Sequence, residues 1–307
     1  MRVVFLALFL RTLSFGAEEV FHVGPVTGIA ISENTIYSCS QTGILRRDES
    51  STTFAEVAAP DFRIIDIVAI GDGQLAVCGG LPGASGIIGI LDIASSEMKT
   101  RTVSKDLIYA LAYSRPTGTL AVACADGNVK LLRLPLESSD MPIDTHKHTA
   151  AARAVAFSPE GKLLVSGGLD GVLLVTHLGE GRSPRVLQEH TAGVESLTFS
   201  ADGKHFASGA RDSKVRLHST DGRLIRTYSG IGMENELAAE RLPARLWALA
   251  WDDTRLVAGT SKGQLYHLSN SDDQWTLLEK IRESIYVLGF DSSGLLWAGS
   301  NASLVRK

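Results

Sequence analysis

The chain has 307 residues, 44% hydrophobic and 21% charged, enough to bury a sizeable core, and its net charge of −4 leaves no cationic excess to neutralise nucleic-acid phosphates. All-β folds of this length commonly form one unit, so length alone does not divide it. Thirty glycines against nine prolines point to many tight turns, where glycine supplies positive φ at little cost.

Met1-Arg2 is followed by an apolar run at 3–10 (VVFLALFL) and then by small residues, Ser14, Gly16 and Ala17. That order reads as a secretory signal peptide over 1–17, cleaved after Gly16 or Ala17, and predicts an exported protein, periplasmic or secreted. Arg11 interrupts the pattern. The competing reading is a cytoplasmic protein whose first 17 residues are not a signal, the run being a mis-called start or a buried apolar strand. The run is too short to span a bilayer as a helix, and no later stretch is long enough, so no integral membrane segment is expected once the leader is removed.

From residue 18 onward one unit recurs. An apolar run ends in an aromatic residue or Ile, then come a polar turn, an apolar strand ending in small residues, a polar turn and another apolar strand. Copies stand at 26–47, 64–93, 107–134, 153–178, 194–219, 245–268 and 284–307. The second turn falls at Thr42, Ser85, Asp126, Asp170, Asp212, Lys262 and Asn301, in steps of 43, 41, 44, 42, 50 and 39 residues. Solenoid repeats of this length are helical, and no unit here has helical periodicity. The period predicts an all-β chain, a seven-bladed β-propeller of four-stranded antiparallel blades filling 18–307 as one domain. The last unit lacks an outer strand, and the spare segment 18–23 (EEVFHV) is expected to supply it and close the ring.

Blades 4 and 5 carry the most specific signature. A His precedes the first strand, a Ser lies in the second and an Asp in the next turn: His148, Ser166 and Asp170, then His190, Ser208 and Asp212. The His-to-Asp interval is 22 residues in both. This pattern resembles the WD40 family. The family's third-strand Trp, and with it the Trp-Asp dipeptide at that position, is absent from both blades, where Thr176 and His218 stand instead. The resemblance extends over nearly the whole of 18–307, strongly in two blades. It implies a buried hydrogen-bond set in each of those blades and a non-catalytic scaffold that binds a protein or peptide partner, with no cofactor.

In that family the residue four before the aromatic of each first strand faces the top of the ring at the channel mouth. Here the resemblance assigns Thr27, Asp66, Tyr109, Arg153, Glu195, Trp247 and Tyr286 to that slot, with Arg211 and Arg245 beside it. Tyr, Trp and Arg carry most of the binding energy at protein interfaces, so this ring is the candidate protein-binding surface. The blander reading is that the aromatic residues plug the channel or pack on the next blade. The alternative function is a hydrolase-like enzyme over the channel, with Asp66 and Glu195 as acid and base. Against it, the sequence holds no phosphate-cradling glycine loop and no haem motif.

Cys39, Cys78 and Cys124 occupy the small-residue slot filled by Gly167, Gly209, Gly259 and Gly299 in blades 4 to 7. Packed sheets stand about 10 Å apart, too far for a disulfide, so three reduced core thiols are expected. His146 and His148 form a His-x-His pair, but His148 already has a structural role and His146 reads as part of a Pro/Asp/Thr-rich loop, so no metal is expected. The long step before blade 6 holds an insertion at 230–244 (GIGMENELAAERLPA), whose residues 234–242 favour helix and which reads as a tolerated loop or a short helix beside Trp247.

Overall fold

The computed structural model describes residues 20–22, 24–32, 34–48, 54–136, 142–179, 183–229, 231, 244–269, 274–291, 293–301 and 303–306. The leader expected at 1–17 and nearly all of the 230–244 insertion lie outside the described residues. Within them the chain forms seven four-stranded antiparallel sheets. Blades 1 to 6 use consecutive strands over 28–58, 64–104, 108–147, 152–188, 194–228 and 246–280. Blade 7 takes three strands from 287–306 and its fourth from Val20–Phe21. That short strand pairs antiparallel with the last one, Val20 opposite Leu304 and Phe21 opposite Ser303, so the last blade is completed from the start of the chain as the sequence predicts. No described helix is long and apolar enough to cross a membrane.

Burial explains the strand order. The second strand of each blade is wholly or almost wholly buried, as in Leu163–Gly168, while the outer strand Leu224–Tyr228 of blade 5 is largely exposed. Small residues, Ala, Gly, Ser and Cys, let neighbouring sheets approach along the buried strands. The core is not a single mass. Seven clusters of buried apolar side chains each join one pair of adjacent blades. Val26 and Ile36 of blade 1 pack on Trp297 and Leu304 of blade 7, so the apolar seam runs right round the ring.

Cys39, Cys78 and Cys124 are buried free thiols, and burial pushes all three above the ordinary thiol range. The ladder corrects one detail. Cys124 pairs with Ile108 as Gly168 pairs with Ala152, so it stands one residue beyond the Gly167 slot that the sequence assigns to it.

Candidate functional site

The starts of the inner strands build one mouth of the channel. In five blades the pairing of the first two strands skips one residue: between Ile64 and Asp66, Ile108 and Ala110, Ala152 and Ala154, Val194 and Ser196, and Leu246 and Ala248. A β-bulge leaves the extra residue out of the ladder and re-aims its side chain. The skipped residues are Ile65, Tyr109, Arg153, Glu195 and Trp247. Thr27 and Tyr286 hold the same place in blades 1 and 7, their amides bonded to Cys39 O at 3.0 Å and Gly299 O at 2.9 Å just before pairing begins.

Those seven residues, with Asp66, Arg211 and Arg245, line one cavity of about 350 Å³. All of the residues expected on the top face therefore share one mouth. Blade 2 departs from the expected alignment. Its inner strand Ile64–Gly71 contains a second bulge between Ala69 and Gly71, so counting back four from Ile70 lands on Asp66 instead of Ile65. Ile65 is the ring residue of that blade, and Asp66 sits one position deeper.

Asp66 ties blades together. One carboxylate oxygen accepts from its neighbour Ile67 N at 2.8 Å, and the other from Leu111 N of blade 3 at 2.9 Å. On the blade 1 side a Cβ at Gly28 would lie 2.9 Å from the carboxylate, so only glycine leaves room for it. Burial raises the Asp66 carboxyl to about 7 against the two amides, which favour the charged form.

The rest of the mouth divides into two parts. Over blades 3 to 5, Arg153 lies on the Tyr109 ring, its guanidinium carbon 4.2 Å from the centroid, and its Nε donates to Glu195 Oε2 at 3.0 Å. Arg211 Nε donates to the other oxygen, Oε1. The Glu195 side chain is only 3% exposed, whereas Arg153 and Arg211 are 30% and 36% exposed. Over blades 6 and 7, Trp247 and Tyr286 stack at 4.8 Å and 16°, and the Tyr286 hydroxyl donates to Asn301 at 2.8 Å. The aromatic residues thus pack on one another and on an arginine, yet remain half-exposed in the cavity wall.

The buried sets in blades 4 and 5 form as expected. His148 contacts Asp170 at 3.2 Å and Ser166 at 2.8 Å; His190 contacts Asp212 at 3.1 Å and Ser208 at 2.8 Å. Gly168 is required beside the first, because a Cβ there would meet both His148 Nδ1 and Asp170 Oδ1 at 2.5 Å. The order Asp–His–Ser matches that of a hydrolytic triad, but Ser166 and Ser208 are fully buried and reach no substrate.

His146 is not in a loop. It lies in the outer strand Ile143–Lys147 of blade 3, buried, with Nδ1 at 2.6 Å from Ser166 and Nε2 at 2.8 Å from Thr176. One proton assignment satisfies every member: Thr176 donates to His146, His146 to Ser166, Ser166 to His148 and His148 to Asp170. Thr176, which stands where the family has Trp, therefore joins the hydrogen-bond set with His146 as its extra partner. Blade 5 solves the vacancy differently. His218 stacks on Phe206 at 4.8 Å and 10°, with neither ring nitrogen hydrogen-bonded. Blade 1 has a shortened version that the sequence reading passed over: His22 bonds Ser38 at 2.8 Å, 16 residues apart where blades 4 and 5 use 18. Among the described residues no group of three or more His, Cys, Asp or Glu is placed to hold a metal ion.

A closed ring of seven antiparallel blades with one side-chain-walled mouth defines a β-propeller. Residues 141–176 and 181–219, in blades 4 and 5, match the WD domain, G-beta repeat family. Two of the seven blades thus match WD40 repeats, within a chain whose whole fold is a β-propeller. It is 27% identical over 126 residues to WD repeat-containing protein 90 of Mus musculus, a match covering 39% of this chain and 6% of that protein. It is 29% identical over 125 residues to Protein groucho of Drosophila melanogaster, covering 40% and 16%. The match thus spans only a small part of these relatives' length. A chain in a crystal structure of the Mitotic Checkpoint Complex superposes with TM-score 0.79 over 97% of this chain and 98% of that one, at 15% identity, a likeness of fold.

Proposed function

We propose that this propeller is a non-catalytic platform that binds a protein or peptide partner across the mouth lined by Tyr109, Arg153, Arg211, Trp247 and Tyr286. The observation that carries this reading is the concentration of half-exposed Tyr, Trp and Arg around one cavity. These residue types form interface hot spots when they fill central, largely desolvated positions. WD-repeat relatives, and a structural neighbour that comes from a protein complex, support the same reading. Acid–base catalysis finds less support. Both oxygens of Glu195 are occupied by arginines and both of Asp66 by backbone amides, so neither carboxylate is placed to exchange protons with a substrate. With residues 1–17 acting as a leader, the platform works in an exported setting. A mature N-terminus near Ala17 or Glu18 in mass spectrometry supports that setting, and an intact Met1 removes it.

The test is cross-linked capture from native extract by the wild-type protein and by a folded variant carrying Tyr109→Ala, Arg153→Ala, Arg211→Ala and Trp247→Ala. Specific proteins held by the wild type and lost by the variant are the expected outcome. An identical set from both proteins, or no capture by either, rejects this face as the binding surface.

A further inference from the structure

We infer that the mouth recognises an acidic peptide, with one Asp or Glu side chain seated between Arg153 and Arg211 beside the Trp247–Tyr286 stack; this rests on the platform reading above. Glu195 organises the two arginines through their Nε–H groups alone. Each guanidinium carries five N–H donors in a rigid fork, so the terminal NH2 groups of both remain to be used, and no hydrogen bond to a described residue consumes them. The side chains that bear them are a third exposed in the cavity wall, whereas the anchoring carboxylate is buried beneath them. Tyr109 fixes the plane of Arg153 from the blade 3 side. Two forks held from below and open above are preorganised for a carboxylate, because the ordering cost of long arginine side chains has already been met in the free protein.

Charge selects the ligand. The whole chain is net −4, yet its mouth gathers Arg153, Arg211 and exposed Arg245 against Glu195 and Asp66. The Arg153–Glu195–Arg211 cluster taken alone keeps one uncompensated positive charge. A single carboxylate neutralises it. A phosphate dianion would overshoot and place its excess negative charge beside Glu195 and Asp66. The stacked aromatic pair next to the clamp offers an apolar platform for the residues that follow the acidic one.

Selection from a random peptide library displayed on phage tests this, using wild type, an Arg153→Lys/Arg211→Lys variant of unchanged thermal stability, and a Trp247→Ala variant. Lysine keeps the charge but loses the fork, so general attraction for acidic sequences survives in that variant while bidentate recognition does not. The expected result is enrichment of Asp and Glu at one fixed position in wild-type selections. Synthetic copies of the selected peptide should bind roughly tenfold or more weakly to the double-lysine variant, and similarly when that acid is changed to its amide. Selected peptides without a fixed acidic position that still depend on Trp247 leave the platform standing and overturn the acidic specificity. Acidic peptides bound equally by the double-lysine variant overturn the clamp, as does a phosphoserine copy that binds about tenfold more tightly than the acid. A selection in which no peptide depends on any of these residues removes both readings.

Discussion

His218 shows how a single residue can be placed by the fold without being satisfied by it. Its ring lies flat on Phe206 and is fully buried, both nitrogens lack a hydrogen-bond partner, and burial lowers it to about 4. An unpartnered buried polar group costs on the order of 1–3 kcal/mol, and an apolar ring of similar shape avoids that cost. His218→Phe is therefore expected to raise the melting temperature, by differential scanning calorimetry; a lower value would show that the stacking geometry depends on the imidazole. Two further histidines share the burial. His22 is lowered to about 4 and His146 to about 3. With folded values below the unfolded value near 6.5, the unfolded chain takes up protons first as pH falls. Stability should thus be full above about pH 6.5 and decline steadily towards pH 4. Asp66 acts in the opposite sense. Its folded value is raised to about 7, so it contributes stability while protonated and loses it as pH rises from about 4 through 7. Denaturant titrations across this range should show the histidine loss flattened in His146→Gln and the Asp66 slope removed in Asp66→Asn. Unchanged slopes in both variants would contradict these assignments.

At the scale of the strand, the bulge at the start of five of the seven inner strands connects fold to site. It places one side chain per blade at the mouth, and the residue after it returns to the ladder. The sequence made most of this visible. The residue near the end of each inner strand, aromatic in five blades and Ile31 in blade 1, marks the count that the WD40 resemblance supplies, so Thr27, Tyr109, Arg153, Glu195, Trp247 and Tyr286 were legible in the sequence. Ile65 was not, because the second bulge in blade 2 adds a residue that alternation alone does not reveal. The partnership of His146 with Ser166 was hidden for a different reason. It crosses between blades 3 and 4, and a composition of Pro, Asp and Thr resembles a loop until strand pairing is known. The pairing of Glu195 with both arginines was equally invisible, since it depends on side-chain reach, across blades to Arg153 and within blade 5 to Arg211, and not on repeat position. Two substitutions test these local devices. Gly168→Ala pushes a methyl group onto His148 and Asp170 and should destabilise by more than about 2 kcal/mol in chemical denaturation, far beyond the helix- or strand-propensity effect of the same change. Glu195→Ala leaves two arginines facing one another without their shared anion, and a loss of about 1–3 kcal/mol is expected; no loss would mean that water screens them fully.

For the molecule as a whole, stability is distributed round a ring. Each apolar cluster joins two neighbouring blades, and the cluster between blades 7 and 1 closes the circuit. The period of about 42 residues made the blade number and strand order legible before any coordinates, because every blade must bury the same two faces against its neighbours. Closure was also legible, from a last unit with no outer strand and a spare segment at 18–23. A chain starting at residue 24 lacks the strand Val20–Phe21 and the His22–Ser38 contact, leaving the edge of Ser303–Arg306 unpaired. It should unfold at lower temperature and associate more readily than the full chain, measured by calorimetry and light scattering.

The ring also gives the molecule two faces with different chemistry, and that difference permits the most direct test of the central claim. A photo-cross-linking amino acid placed at Arg245 probes the walled mouth, and one placed at Asp202, in the turn joining the first two strands of blade 5, probes the opposite rim. Irradiation in native extract should attach a discrete partner through position 245 and not through position 202. Capture through position 202 alone would contradict the account and move the binding surface to the other face of the propeller.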